Sequence, residues 1–96
     1  MKSVIQQDLR ACYITRSPNV AIHHIFGAAN RKRSEKYGFV VALRPDWHNM
    51  SNYGVHFNKE LDLRLKQEAQ RYFEAHISNR ARFIKEFGKS YILDGV

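Results

Sequence analysis

The stretch "AIHHIFGAANRKRS", residues 21–34, places two adjacent histidines after a short apolar segment and before a basic run. Side chains of neighbouring residues in a β-strand point to opposite faces of the sheet. If this segment is a strand, His23 and His24 therefore face different surroundings. The two imidazoles are then suited to different chemical tasks.

Short strands and turns are predicted on either side of the histidine pair. Ala11–Ile14 and Val20–Ile25 flank the turn sequence "RSPN", and Phe39–Leu43 is an apolar run with β-branched residues. The intervening residues 27–38, "GAANRKRSEKYG", are expected to form a loop. Pro45 is suited to the first position of a short helix over "PDWHNM".

Two helices are predicted in the second half of the chain. Asn58 is a candidate N-cap of the first helix, and Ser78 of the second, which Gly88 would end. Apolar side chains recur at helical spacing in both: Leu61, Leu65, Ala69, Tyr72 and Phe73, then Ala81, Phe83, Ile84 and Phe87. Such stripes usually form a core. Strands followed by helices indicate an α+β fold.

The composition bounds the possible partners and location. The 96 residues fit one domain, and 16 Lys and Arg against 9 Asp and Glu give a net charge of +7. This excess, with a pI near 9.9, favours nucleic acid over an anionic membrane as a partner. No stretch reaches the roughly 18 apolar residues of a transmembrane span, and no signal peptide is recognised. Cys12 is the single cysteine, which fits a reducing, cytoplasmic location.

Four of the five histidines fall between residues 20 and 57, and they are His23, His24, His48 and His56. An isolated histidine in such a region would more often make a hydrogen bond than bind a metal. Four together are harder to explain in that way, because neutral imidazole is both a common metal ligand and a base near neutral pH. The fifth, His76, lies late in a predicted helix and is assigned no chemical role.

The adjacent pair and the basic run suit phosphodiester hydrolysis. One histidine could bind a divalent cation while the other deprotonates a water molecule aimed at phosphorus. Arg31, Lys32 and Arg33 could supply the phosphate contacts that an anionic substrate requires. A solvated loop is an equally good interpretation of the basic run.

Several segments together resemble a known family: "IHHIFG", "SEKYGFVVAL", the histidine at 48, "GVHFN" and "LDLRLKQEAQRYFE". They are similar to the HNH endonucleases of the ββα-metal, treble-clef type, and most to the small phage and prophage group of recombination-enhancement type. The resemblance covers residues from about 10 to about 90. It implies a ββα-metal core of short strands and a short helix over residues 10–57, followed by two C-terminal helices over residues 58–90. The implied activity is metal-dependent nicking or cleavage of DNA in a bacterial host.

The resemblance also implies roles for individual residues. His24 would be the general base, and the metal ligands would be His23, His48 and His56. Mg²⁺ is the usual metal of such sites, with Mn²⁺ or Ni²⁺ as substitutes, and Arg31 to Arg33 would bind the DNA backbone. The place of the family's signature Asn is taken here by Phe39 or Gly38. In the family this Asn is associated with the orientation of the general base. Asn49 and Asn52 are nearby polar candidates for that role.

Relatives commonly carry a structural zinc, whose four ligand positions read Cys12, Thr15, Arg44 and Trp47 in this chain. Of these side chains only the cysteine can bind zinc, so no structural zinc is expected. Apolar packing of Ile14 and Trp47 is the hypothesis for what holds this part of the fold instead.

Alternatives remain open at this point. The chain could be a catalytically decayed HNH scaffold that binds DNA or a protein partner, for example to block a host defence nuclease. No membrane partner is expected. The aromatic residues of the two helices could form a homodimer, although they fit an internal core equally well; they are Tyr72, Phe73, Phe83 and Phe87.

Overall fold

The computed structural model describes residues 1–50 and 58–93, the side chains of residues 49 and 50 excepted. Two strands, three helices and two short helical turns are found in these ranges. In chain order they are β1 (Ala21–His24), a 3₁₀ turn (Ala28–Asn30), α1 (Arg31–Tyr37), β2 (Val40–Leu43), a π-helical turn (Asp46–Met50), α2 (Lys59–His76) and α3 (Arg80–Phe87). The chain is thus α+β, as predicted.

The two strands form an antiparallel pair in which His23 lies opposite Val41 and His24 opposite Val40. Both were predicted to within two residues. The third predicted strand, Ala11–Ile14, is wrong, because these residues form a turn. In that turn the Arg16 N–H donates to the Cys12 carbonyl at 2.9 Å.

The N-terminal segment satisfies the free edge of β2 without forming a strand. The Ala42 N–H donates to Oε1 of Gln6 at 2.8 Å, and the Ser3 hydroxyl donates to the Val40 carbonyl. The Ala42 carbonyl accepts from the Tyr13 N–H at 2.7 Å. An open strand edge would leave backbone groups unpaired. Here two side chains and one backbone N–H from a distant segment bind those groups, which is why a continuous third strand is not needed.

Residues 31–37 form the helix α1 where a loop was predicted. Its single buried side chain, Ser34, donates to the Phe39 carbonyl at 2.6 Å and accepts from the Phe26 N–H at 3.1 Å. Gly38 ends the helix at a φ of +77°, where a Cβ would lie 3.1 Å from the backbone nitrogen of Val4. The helix is therefore held by a polar anchor and a glycine cap, which a search for apolar periodicity does not detect.

The core lies between the sheet and the two C-terminal helices. The buried aromatic residues are Phe26, Phe39, Phe73, Phe83 and Phe87. Ring centroids are 4.4 Å apart for Phe26 and Phe87, and 4.9 Å for Phe83 and Phe87. The core interpretation of the helical aromatic residues is thus confirmed. Three of the four that suggested a homodimer are internal.

The predicted caps of α2 and α3 are confirmed with one correction. The Asn58 side chain accepts from the Leu61 N–H at 3.1 Å and Gly88 ends α3, as predicted. The N-cap of α3 is Asn79 rather than Ser78, since the Asn79 side chain accepts from the Arg82 N–H at 2.9 Å. In the described part of the chain, every helix is too short or too polar to cross a lipid bilayer.

Candidate functional site

A surface pocket of about 260 Å³ lies where β1 ends, beside α1 and the Asp46–Met50 turn. Its lining residues are Ile22, His23, His24, Gly27, Ala28, Arg31 and His48. Four of the residues singled out in the sequence therefore share one cavity. The strand carries two of them, and a separate helical segment carries each of the others.

His23 and His48 lie side by side within this pocket. Their ring centroids are 5.3 Å apart, and the rings are inclined by 68°. His23 shares a sheet face with Val41, its cross-strand partner, and it is buried with 5% of its surface exposed. His48 is positioned by the Asp46–Met50 turn, in which its N–H donates to the Arg44 carbonyl at 2.9 Å. Two imidazoles from separate elements thus meet at one place.

His24 lies on the other face of β1, as the period of a strand requires. Its side chain is 12% exposed, and its Nε2 is 3.5 Å from Oε1 of Glu35 on α1. His24 nevertheless lines the pocket together with His23. The pair therefore reaches one cavity from two faces.

The basic run does not act as a single surface, because it belongs to a helix. Successive residues of an α-helix are rotated by about 100° around its axis. Of the three basic side chains, Arg31 lines the pocket, whereas Lys32 and Arg33 are exposed on other sides of α1. The Arg33 guanidinium donates to Oδ1 of Asn30 at 3.3 Å. A phosphate group in the pocket would therefore meet Arg31 first.

Three of the four positions compared with zinc ligands, Cys12, Thr15 and Arg44, meet at a buried thiol. The Sγ of Cys12 accepts from the backbone N–H of Thr15 at 3.4 Å and from that of Arg44 at 3.3 Å. Burial raises the pKa of this thiol, but hydrogen bonds from the Thr15 side chain and from backbone N–H groups outweigh burial and lower the pKa overall. The thiol thus joins the turn at residues 12–16 to the end of β2.

The two residues of the packing hypothesis, Ile14 and Trp47, both line a surface pocket, and they differ in burial. Trp47 is partly buried and packs against the core cluster, whereas Ile14 is 39% exposed. The two side chains line a second pocket of about 200 Å³ with Leu61 and Arg64 of α2. Trp47 therefore ties the Asp46–Met50 turn to the helical half of the molecule.

The donors for a metal ion are incomplete within the described residues. No three His, Cys, Asp or Glu side chains in residues 1–50 and 58–93 are grouped so as to hold one. The pair His23 and His48 is close enough to bind one ion, given metal–nitrogen bonds of about 2.0–2.1 Å. His56, the further predicted ligand, and Asn52 lie outside the described residues, as does the side chain of Asn49. The pair fits a divalent transition metal, for which imidazole is a favoured ligand.

Glu35, which contacts the pocket residue His24, was not singled out in the sequence. It lies four residues after Arg31, a spacing that places both side chains on one face of a helix. Recognition of α1 as a helix would have provided this signal. No family model, curated protein or solved structure matches the chain. The function is therefore argued from the chemistry of the pocket.

Proposed function

We propose that the protein is a divalent-metal-dependent DNA endonuclease of HNH type, which nicks or cleaves DNA by hydrolysing phosphodiester bonds. The observation that carries this proposal is the single pocket shared by His23, His24, Arg31 and His48. The antiparallel pairing of β1 with β2, which a helical turn bearing His48 follows, supports a ββα-metal core, although α1 lies between the two strands. The net charge of +7 supports an anionic substrate.

The proposed reaction uses His24 as the general base. A neutral ring nitrogen of His24 takes a proton from water while the water oxygen forms a bond to phosphorus. The bond between phosphorus and one bridging oxygen breaks, and the leaving oxygen is protonated by solvent. Arg31, at the pocket wall, binds a non-bridging oxygen of the same phosphate. The neighbouring charges of Lys32 and Arg33 attract the DNA backbone.

His23 and His48 would hold the metal. His56, which lies outside the described residues, would be a further ligand. When bound, a divalent ion would stabilise the negative charge that develops on the phosphate oxygens. Mg²⁺ prefers oxygen ligands, whereas imidazole nitrogen suits later transition metals. We therefore expect Ni²⁺ to support activity better than Mg²⁺, the metal that the resemblance alone favours.

The test is cleavage of supercoiled plasmid in the presence of Mg²⁺, Mn²⁺ or Ni²⁺. Nicked or linear product should appear with metal and disappear in EDTA. His24→Ala should lower the rate by about 10²- to 10⁴-fold, the range for loss of a general base. His76→Ala is the matched control, because His76 is exposed and lies on the last turn of α2 beside Tyr72. Absence of metal-dependent cleavage, or full activity in His24→Ala, would contradict the proposal.

The second candidate function is DNA binding on a scaffold that no longer cleaves. It is favoured by the donor count, since the described residues contribute only two of the proposed metal ligands, His23 and His48, rather than a complete ligand set. Binding of this kind would be sensitive to salt and insensitive to EDTA, and it would occur without cleavage. The plasmid assay, combined with an electrophoretic shift in EDTA, separates the two functions.

A further inference from the structure

We propose that Glu35 is a positioning residue that orients the imidazole of His24 for proton abstraction. This inference rests on the proposed nuclease function and extends it to a residue outside the predicted set. The contact joins Oε1 of Glu35 to Nε2 of His24 over 3.5 Å, the outer limit of a hydrogen bond. Catalytic hydrogen bonds are often long before substrate is bound and shorten in the complex.

The position of Glu35 follows from the face that α1 turns towards the pocket. Arg31 and Glu35 are separated by four residues, about one helical turn, so both side chains lie on one face. Arg31 lines the pocket and Glu35 contacts His24 from β1. One face of a single short helix therefore presents a cation for phosphate and a carboxylate for the base.

The backbone beneath Glu35 is firmly held. The preceding residue, Ser34, is fully buried and bridges the Phe39 carbonyl at 2.6 Å and the Phe26 N–H at 3.1 Å. One turn away, the Tyr37 hydroxyl donates to Glu86 of α3 at 2.6 Å. These contacts fix α1 against the sheet and the core, so Glu35 is held at the side of β1 that carries His24.

The tautomer of His24 gives the contact a chemical consequence. A carboxylate accepts hydrogen bonds and cannot donate one, so Glu35 selects the imidazole form with its proton on Nε2. Nδ1 is then the ring nitrogen with a lone pair for the water proton. In this scheme the water proton moves to Nδ1 while the Nε2 proton remains directed at Glu35.

Gly38 and Phe39, at the place of the family's signature Asn, offer no polar side chain that could orient His24. Phe39 is fully buried in the aromatic core, and Gly38 has no side chain. Glu35 lies only three residues before Gly38 in the chain. The carboxylate of α1 thus supplies an orienting contact for His24 that these two positions cannot provide.

The first test measures kcat and KM of Glu35→Ala on plasmid DNA with the most active metal. Loss of an outer partner of a catalytic imidazole should lower kcat by about 10- to 100-fold, by analogy with ligand-orienting groups in metal sites. KM should be unchanged or lower, because removal of a negative charge favours DNA binding. Glu35→Gln, which keeps an acceptor oxygen, should recover part of the lost kcat.

Glu60→Ala is the matched control for this measurement. Glu60 is also an exposed glutamate, but it lies in the first turn of α2 and lines the pocket beside Trp47. The same change of charge there should leave kcat unchanged. If Glu35 were only a surface carboxylate, Glu35→Ala would behave like Glu60→Ala. Equal kcat values for the two variants would overturn the proposal.

The second test observes His24 without requiring cleavage. The ¹⁵N chemical shifts of its ring nitrogens, recorded in alkaline buffer where imidazoles are neutral, distinguish the two tautomers. The wild type should show the Nε2-protonated form, and Glu35→Ala should show a changed mixture. Identical ring shifts in the two proteins would overturn the contact. Absence of cleavage by the wild type would instead overturn the nuclease function, and the role of Glu35 with it.

Discussion

Polar side chains are used differently in the helical half of the molecule and in the histidine pocket. Within α2 and α3 they make short contacts to other side chains. Nε2 of Gln70 donates to Glu74 at 2.7 Å, and Nε of Arg80 donates to the same carboxylate at 3.1 Å. In the pocket, the contact between His24 and Glu35 measures 3.5 Å beside an open cavity of about 260 Å³. The short contact between Arg80 and Glu74 joins α3 to α2, whereas the contact of His24 is at the outer limit of a hydrogen bond and lies beside open space.

The glutamines of α2 illustrate the stabilising role. Oε1 of Gln70 accepts from the Tyr91 N–H at 2.7 Å, and Nε2 of Gln67 donates to the Tyr91 carbonyl at 3.0 Å. Both amides therefore bind the C-terminal segment to the helix. The "KQEAQ" sequence contributed to the family resemblance, yet in this structure its glutamines hold the scaffold together. The match in this helix therefore concerns residues that support the structure, and it gives no evidence for the proposed reaction.

The two regions are connected through Phe26, which lies two residues after His24. Its ring packs against Phe83 and Phe87 of α3, with centroids 5.8 Å and 4.4 Å away. The strand that carries the histidine pair is therefore anchored in the helical core. The scaffold fixes the pocket wall, while the pocket itself stays open.

Phe73→Ala should have the largest effect on this arrangement. Phe73 is fully buried between the sheet and α3, and removal of a buried phenyl ring costs about 3–5 kcal/mol of unfolding free energy. Urea denaturation followed by circular dichroism measures the change. Leu63→Ala, at a position that is 43% exposed on the same helix, should change stability by less than about 0.5 kcal/mol. Similar changes in unfolding free energy for Phe73→Ala and Leu63→Ala would show that the core of the helical half does not stabilise the fold.

Glu86→Gln should have a smaller effect that depends on pH. Burial raises the pKa of Glu86, but hydrogen bonds from Tyr37 and the guanidinium of Arg82 outweigh burial and lower the pKa in the folded state. The carboxylate therefore stabilises the fold above the pKa of an unfolded glutamate, about 4.3, and this contribution is lost as pH falls through the lower folded value. At neutral pH, we expect the variant to lose about 1–3 kcal/mol.

The measurement for Glu86→Gln is urea denaturation at a series of pH values. The stability difference from the wild type should shrink below pH 4 or so, where glutamates become protonated. Glu60→Gln, at an exposed position, should show little difference at any pH. A pH-independent difference for Glu86→Gln would show that packing around the side chain, rather than its charge, stabilises this region.

The sequence predicted the long helix better than the short one, for a physical reason. α2 has 18 residues with a regular apolar stripe and an Asn cap, so local signals suffice. α1 has 7 residues and only one that is buried, the polar Ser34. Its stability comes from hydrogen bonds of Ser34 to the backbone of Phe26 and Phe39. Both partners lie outside the helix, so the pattern of apolar residues within it does not reveal them. The predicted loop was wrong for this reason.

In the sheet and the pocket too, features set by the local sequence were predicted, and features set by contacts with other segments were missed. The opposite orientations of His23 and His24 follow from the period of a strand, so the sequence predicted them. The covering of β2 by Gln6 depends on a contact across 36 residues, which no local pattern contains. Glu35 was missed as a partner of His24 because its orientation depends on α1. The role of His56 stays a prediction, since this residue lies outside the described ranges.

The smallest expected effect is on DNA binding. It is measured by comparing Arg31→Ala with Lys32→Ala, which remove two neighbouring cations of α1. Arg31 lines the pocket, and Lys32 is exposed on another side of the helix. If DNA lies across the pocket, loss of Arg31 should remove one phosphate contact and reduce the salt slope of log K by about 0.9. Fluorescence anisotropy of labelled duplex DNA in EDTA, over a range of salt concentrations, measures this slope without cleavage.

Lys32→Ala removes the same charge from the helix and so leaves the same net charge on the protein. Long-range attraction falls equally in both variants, because a field at distances beyond the Debye length does not resolve adjacent residues. A difference in salt slope between them therefore reports direct contact rather than overall charge. Equal slopes would mean that the DNA meets the basic run as a diffuse patch. In that case Arg31 in the pocket and Lys32 outside it would contribute equally to DNA binding. The DNA backbone would then not be held at the pocket.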